Sequence, residues 1–223
     1  MGIPAVEPYE MPAESELPEN TASWSPDPAR AALLIHDMQR YFLDFFPAGQ
    51  PPATDLIDNV SRIRQAAVDL GMPVVYTAQP GGMTPQQRGL LRDIWGPGMG
   101  TDPRVRQIIG ELAPGDRDIV LTKWRYSAFA RSDLESILRR RGRDQLIVCG
   151  VYAHVGCLMT ACDAFSMDIQ PFLVADAIAD FSPAYHRLAL EYAAERCAAT
   201  VSTRSLLEML STSGLESVAT STH

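Results

Sequence analysis

The chain has 223 residues, 46% of them apolar and 21% charged, which suits one globular domain with a full core. Its 27 Asp and Glu outnumber its 19 Lys and Arg, for a net charge of −8, and its longest basic cluster is Arg139, Arg140, Arg141. This balance excludes a basic field for nucleic acid, and no apolar run approaches the roughly 20 residues that a membrane span needs.

Residues 1–29 carry Pro4, Pro8, Pro12, Pro18, Pro26 and Pro28 with little periodicity. They are expected to form an extended arm that wraps the domain or a partner subunit. The start is acidic where a signal peptide would be basic and then apolar, so a cytoplasmic chain is expected. Residues 30–210 alternate between apolar strand patterns and amphipathic helix patterns. The strand segments are AALLIHD (31–37), PVVYTAQ (73–79), DIVLTK (118–123), DQLIVCG (144–150), PFLVADA (171–177) and AATVST (198–203). Between the first two, Leu56, Ile57, Val60, Ile63, Ala67 and Leu70 follow Thr54 at helical spacing, and Gly71 with Pro73 ends the run. Ser132 and Glu135 are spaced as a capping box ahead of Leu134, Ile137 and Leu138, and Gly142 closes that helix. Continuous apolar strands between amphipathic helices predict an α/β domain: three layers, doubly wound, with a mostly parallel sheet of about six strands and helices on both faces. Residues 211–223, STSGLESVATSTH, are Ser/Thr-rich and unpatterned, and a disordered tail is expected there.

Cys149, Cys157, Cys162 and Cys197 form no C-x-x-C pair, and His36, His154, His186 and His223 fall in no H-x-H or H-E-x-x-H pattern. Free thiols and no metal site are therefore expected.

In a doubly wound sheet the ligand sits at the carboxyl ends of the strands. Those ends carry Asp37, Gln79, Lys123 and the turn from Gly150 to Gly156. Taken singly, Asp37 is a turn or cap residue, Lys123 a solvated charge and Gln79 a loop hydrogen-bonder; at equivalent places on neighbouring strands they converge on one crevice.

The strings LLIHDMQ, YTAQPG, RGLLRDIWGPGM, LTKWRYSAF, CGVYAHVGC and DIQPFLVADAIADFS resemble the isochorismatase branch of the isochorismatase-like hydrolases, from about residue 2 to 210. The segment QPGGMTPQQRGLLRDIWGPGM is most similar to the phenazine-pathway members. Those hydrolyse 2-amino-2-deoxyisochorismate to trans-2,3-dihydro-3-hydroxyanthranilate and pyruvate. Siderophore isochorismatases, which make 2,3-dihydro-2,3-dihydroxybenzoate, are the second match. The resemblance implies a small dicarboxylate substrate, no cofactor and a homodimer. It implies Asp37 and Lys123 as catalytic residues, Arg88, Tyr152 and Gln79 around the two substrate carboxylates as their donors, Gly156 beside the substrate, and Phe42, Trp95 and Tyr126 as walls. The alternative for Arg88 is a solvated helix residue, and without the resemblance the three aromatics are core. Related cysteine amidohydrolases place a Cys at the turn in a pattern such as G-x-A-T-D-x-C; here Gly156 falls on that Cys, and Cys157, one residue late, is rotated about 100° away. The D-x-H metal pattern of nicotinamidases is replaced by Gln79, Pro80 and Gly81.

Hydrolysing a vinyl ether needs a proton delivered to carbon and then water, but no nucleophilic side chain. Asp37 is the only acid among the converging strand ends, so it is assigned as general acid. Gly156 is expected to leave an open space and a helix-start N–H for an anionic group. Lys123 either tunes Asp37 or binds substrate. Two rival readings are a non-catalytic scaffold and an amidase working through Cys157.

Overall fold

In the computed structural model, residues 2–220 are described. Six strands run as β1 (Ala31–His36), β2 (Val74–Ala78), β3 (Ile119–Thr122), β4 (Gln145–Val151), β5 (Gln170–Ala179) and β6 (Ala199–Val201). All pair in parallel in the order β3-β2-β1-β4-β5-β6, the doubly wound arrangement expected from the sequence. Among the described residues the α-helices are α1 (Arg40–Leu43), α2 (Ala53–Asp69), α3 (Pro85–Arg88), α4 (Leu91–Trp95), α5 (Pro103–Arg106), α6 (Leu134–Arg140), α7 (Leu158–Ser166), α8 (Pro183–Arg196) and α9 (Thr203–Thr220).

The two faces of the sheet follow from alternation along each strand. On β1, Leu33 and Ile35 point to one face, where they meet Leu56, Val60, Ile63 and Ala67 of α2 with Leu206 and Leu210 of α9. Ala32 and Leu34 point to the other, against Leu134 and Leu138 of α6, Ala161 of α7 and Ala193 of α8. Each fully buried Leu or Ile in these layers contributes about 1.5–3 kcal/mol.

Three local expectations need correction or extension. Ser132 and Glu135 do not close a capping box: the Ser132 hydroxyl accepts from Leu134 N–H at 3.2 Å, one residue early, and Glu135 turns forward to Arg139. The expected tail is helical up to Thr220, because Leu206 and Leu210 anchor α9 on the core and no proline follows to stop it. The last part of that expected tail, residues 221–223, lies outside the described residues. The N-terminal arm lies against its own domain: Val6 N–H donates to Phe45 O at 2.8 Å, and the Asn20 side chain pairs with both backbone groups of Thr200.

The chain leaves β1 to one side for β2 and β3, then returns to the other side for β4, β5 and β6. Crossovers therefore diverge between the carboxyl ends of β1 and β4, and a crevice opens there.

Candidate active site

Asp37 is the first residue after β1 and holds φ at +51°, a left-handed conformation that Asp tolerates better than most residues. The β1–β2 register pairs His36 with Thr77, which puts the Thr77 hydroxyl beside Asp37. Asp37 N–H donates to that oxygen at 3.1 Å, and the hydroxyl donates to Asp37 Oδ1 at 2.5 Å. Lys123, the first residue after β3, donates from Nζ to Asp37 Oδ2 at 3.2 Å. Both side chains are nearly solvent-free, at 6% and 3% exposed.

Burial by itself pushes the Asp37 carboxyl up, but Lys123, His36 and the Thr77 hydroxyl together hold it below its ordinary value. Burial lowers the Lys123 ammonium, with Asp37 pulling it back. In the free site Asp37 is therefore a carboxylate, hydrogen-bonded to Lys123 Nζ.

Gln79 follows β2 and is clamped by the buried Gln39: Gln79 N–H donates to Gln39 Oε1 at 2.7 Å, and Gln39 Nε2 donates to Gln79 O at 2.9 Å. Gln79 Oε1 accepts from Arg88 Nη1 at 3.1 Å, while Arg88 Nε donates to Gly96 O at 3.1 Å. Arg88 is 6% exposed, so the solvated-helix reading fails. Among the described residues this buried guanidinium has no carboxylate partner.

All nine residues anticipated from the sequence line one cleft, with about 540 Å³ of empty space out to its mouth. Its aromatic wall is mutually braced: Trp95 Nε1 donates to the Tyr126 hydroxyl at 2.7 Å, and the Tyr152 ring lies between Phe46 and Phe181 at centroid distances of 5.7 and 4.3 Å. Phe42 meets the Tyr152 ring edge-on.

Two of the nine are placed otherwise than expected. The Tyr152 hydroxyl donates to Phe42 O at 2.8 Å, so this residue offers the cleft an aromatic surface instead of a donor. Gly156 leaves no open space. A Cβ there would stand 2.2 Å from His36 Cε1, because the imidazole fills that volume. Its N–H donates to Tyr152 O at 2.9 Å, within the π-turn Ala153–Cys157, and is not free for an anion.

His36 Nδ1 lies 2.8 Å from Val151 O and Nε2 lies 3.3 Å from Tyr126 O. Burial and then the Lys123 charge push its pKa down to about 4, so the ring is neutral; the shorter contact assigns its one proton to Nδ1. His154 is outside the cleft, bound to Asp180 through Nδ1 at 2.8 Å. Cys157 is also outside it, packed in the core with its thiol pushed well up by burial, as its one-residue offset implies.

Sequence reasoning missed Tyr41, Arg125 and Phe181 in the cleft, and Thr77 and Gln39 behind it. A signal existed for two of these. A Thr inside an apolar strand, and a Gln two residues past a strand end, need buried hydrogen-bond partners. For Tyr41 and Phe181 no pattern separates cleft wall from core.

The isochorismatase domain model matches residues 31–205. The isochorismatase of Bacillus subtilis strain 168 is 59% identical over 210 residues, covering 94% of this chain and 67% of that protein. The phenazine biosynthesis protein PhzD1 of Pseudomonas aeruginosa is 58% identical over 207 residues, covering 93% of this chain and 99% of that one. The enterobactin synthase component B of Escherichia coli K12 is 47% identical over 207 residues, covering 93% and 73%. A solved cysteine hydrolase from Pseudomonas syringae pv. phaseolicola superposes with a TM-score of 0.77 at 24% identity over 88% of this chain and 98% of that one, which shows the shared fold.

Proposed function

We propose, from the premise that the chain belongs to the isochorismatase family, that it is a metal-independent hydrolase of the enolpyruvyl ether of 2-amino-2-deoxyisochorismate. The products are trans-2,3-dihydro-3-hydroxyanthranilate and pyruvate. One observation carries this reading. The cleft holds a buried carboxyl at its floor, while the position where related amidases carry a thiol is a glycine covered by an imidazole. Among the described residues no Cys, Ser or Thr lines the cleft, and the one acid there, Asp37, supports proton transfer.

Asp37 gives its proton to the terminal vinyl carbon, and the ether carbon becomes an oxocarbenium ion. Water adds to that ion and loses a proton to the Asp37 carboxylate, which restores the acid. The hemiketal then collapses to pyruvate and the ring alcohol. Asp37 starts as a carboxylate in the free cleft, so substrate binding must raise it. The two carboxylates of the bound substrate displace water and bring negative charge into the cleft, and both effects push the Asp37 carboxyl up. Lys123 is the opposing influence, holding the carboxylate that reforms after proton transfer.

Identity to PhzD1, over nearly its full length, favours the 2-amino substrate. The second reading is isochorismate, favoured by 59% identity to the Bacillus isochorismatase. The deciding experiment measures pyruvate release from both compounds, with wild type, Asp37→Asn and Cys157→Ala, in the presence of EDTA. Wild type and Cys157→Ala are expected to be equally active, and Asp37→Asn to lose about 100-fold to 10,000-fold in kcat while still binding substrate. Absence of pyruvate from both compounds would refute the reading, and loss of activity in Cys157→Ala would point back to amidase chemistry.

A further inference from the structure

The cleft contains a cation that the chemistry above leaves unused. Arg125 lies two residues past Lys123 and lines the same cleft. Its Nη1 donates to Gln87 O at 2.9 Å and to Trp124 O at 2.5 Å, which leaves Nε and Nη2 without a protein acceptor among the described residues. Arg88 is likewise without an acceptor at Nη2.

The two guanidiniums are built into the same corner. Gln87, whose carbonyl holds Arg125, immediately precedes Arg88 in α3. Each guanidinium also rests on a glycine: a Cβ at Gly89 would stand 2.8 Å from Arg125 Nη2, and one at Gly98 would stand 2.7 Å from Arg88 Cζ. Two like charges held this way repel. Burial lowers Arg88 from its ordinary value, Tyr41 and Tyr126 pull it back, and the Arg125 charge, the smallest of these influences, lowers it further.

Among the charged residues lining the cleft, Arg88, Lys123 and Arg125 face one carboxylate, Asp37, so basic groups outnumber it by two. Neither Arg88 nor Arg125 has a carboxylate partner among the described residues. An arrangement that costs repulsion in the free protein is offset when two carboxylate groups enter, one to each guanidinium.

We propose that Arg125 is a substrate-binding residue that takes the ring carboxylate, while Arg88 takes the enolpyruvyl carboxylate, one guanidinium for each. This assignment rests on reading the substrate as an enolpyruvyl dicarboxylate. Arg88 is bonded to Gln79 at the end of β2, the strand next to Asp37, so its anion lies close to the proton donor. Arg125 follows edge strand β3 and is only partly buried, which suits the carboxylate nearer the mouth.

The test uses isochorismate and its two monomethyl esters, with ring-alcohol release followed by chromatography for wild type, Arg125→Gln, Arg125→Lys and Arg88→Gln. Arg125→Gln is expected to raise KM for isochorismate about tenfold or more with kcat within about twofold, and Arg125→Lys to recover part of the loss. In wild type each ester is penalised. Arg125→Gln should erase the penalty for the ring ester alone, and Arg88→Gln the penalty for the enolpyruvyl ester alone. An unchanged KM in Arg125→Gln overturns the inference. So does loss of the enolpyruvyl-ester penalty in both variants, which would show Arg125 acting only by bracing Arg88. Wild type inactive on isochorismate and on its 2-amino analogue would instead refute the proposed function, a distinct outcome.

Discussion

Gly156→Ala adds a single methyl group at the most crowded point of the cleft floor. The new Cβ would stand 2.2 Å from His36 Cε1, 2.9 Å from Nε2 and 3.0 Å from Nδ1. Carbon atoms settle at about 3.5–4.0 Å, so the ring or the turn must move by roughly 1.3 Å or more. The ring is 1% exposed and tied to Val151 O at 2.8 Å, so it has no free side to move into. Overpacking of this kind costs about 1–3 kcal/mol, and losing the buried hydrogen bond adds about 1–3 kcal/mol. At about 2–4 °C per kcal/mol for a chain of this size, a loss near 4 kcal/mol lowers Tm by about 8–16 °C in calorimetry. The cause is tested in a His36→Ala background, where the space is vacant and the added methyl should cost less than about 1 kcal/mol. A Tm drop below about 2 °C for Gly156→Ala alone, or an undiminished cost beside His36→Ala, would refute the packing argument.

Tyr152→Phe removes the proton given to Phe42 O and leaves the aromatic surface intact. It is expected to lower stability by about 1 kcal/mol with KM within about twofold; a large rise in KM would restore a hydroxyl role in substrate binding. Stability should also fall with acid in the range set by His36, whose pKa drops from an ordinary 6.5 to about 4. Between those values the unfolded chain binds a proton that the native protein refuses, so stability declines as pH falls, by about 3 kcal/mol in total. Urea unfolding at pH 7 and pH 4.5 should show a shallower decline in His36→Gln; identical slopes would contradict it. Asp37 acts in a lower window: its contribution is full above the ordinary carboxylate value and is lost as pH falls through the lower native value.

The βα alternation and the places of Asp37, Gln79 and Lys123 were legible in the chain itself. In a parallel sheet, burial on both faces writes continuous apolar runs, and the residue just past each run is carried to the ligand-binding edge. The offset of Cys157 was equally legible, since one step along a helical turn rotates a side chain by about 100°. What packs against what was not. No local pattern shows that the His36 ring occupies the volume over Gly156, that the Tyr152 hydroxyl is taken up by Phe42, or that Arg125 is braced on Gln87 beside Arg88. Each is a contact between segments distant in sequence, chosen by how rotamers and loop backbones fill space once the sheet has formed. The sequence by itself therefore determined the fold and the strand-end acid, cation and amide. Only the tertiary structure decided what surrounds them, because close packing is settled among neighbours in space.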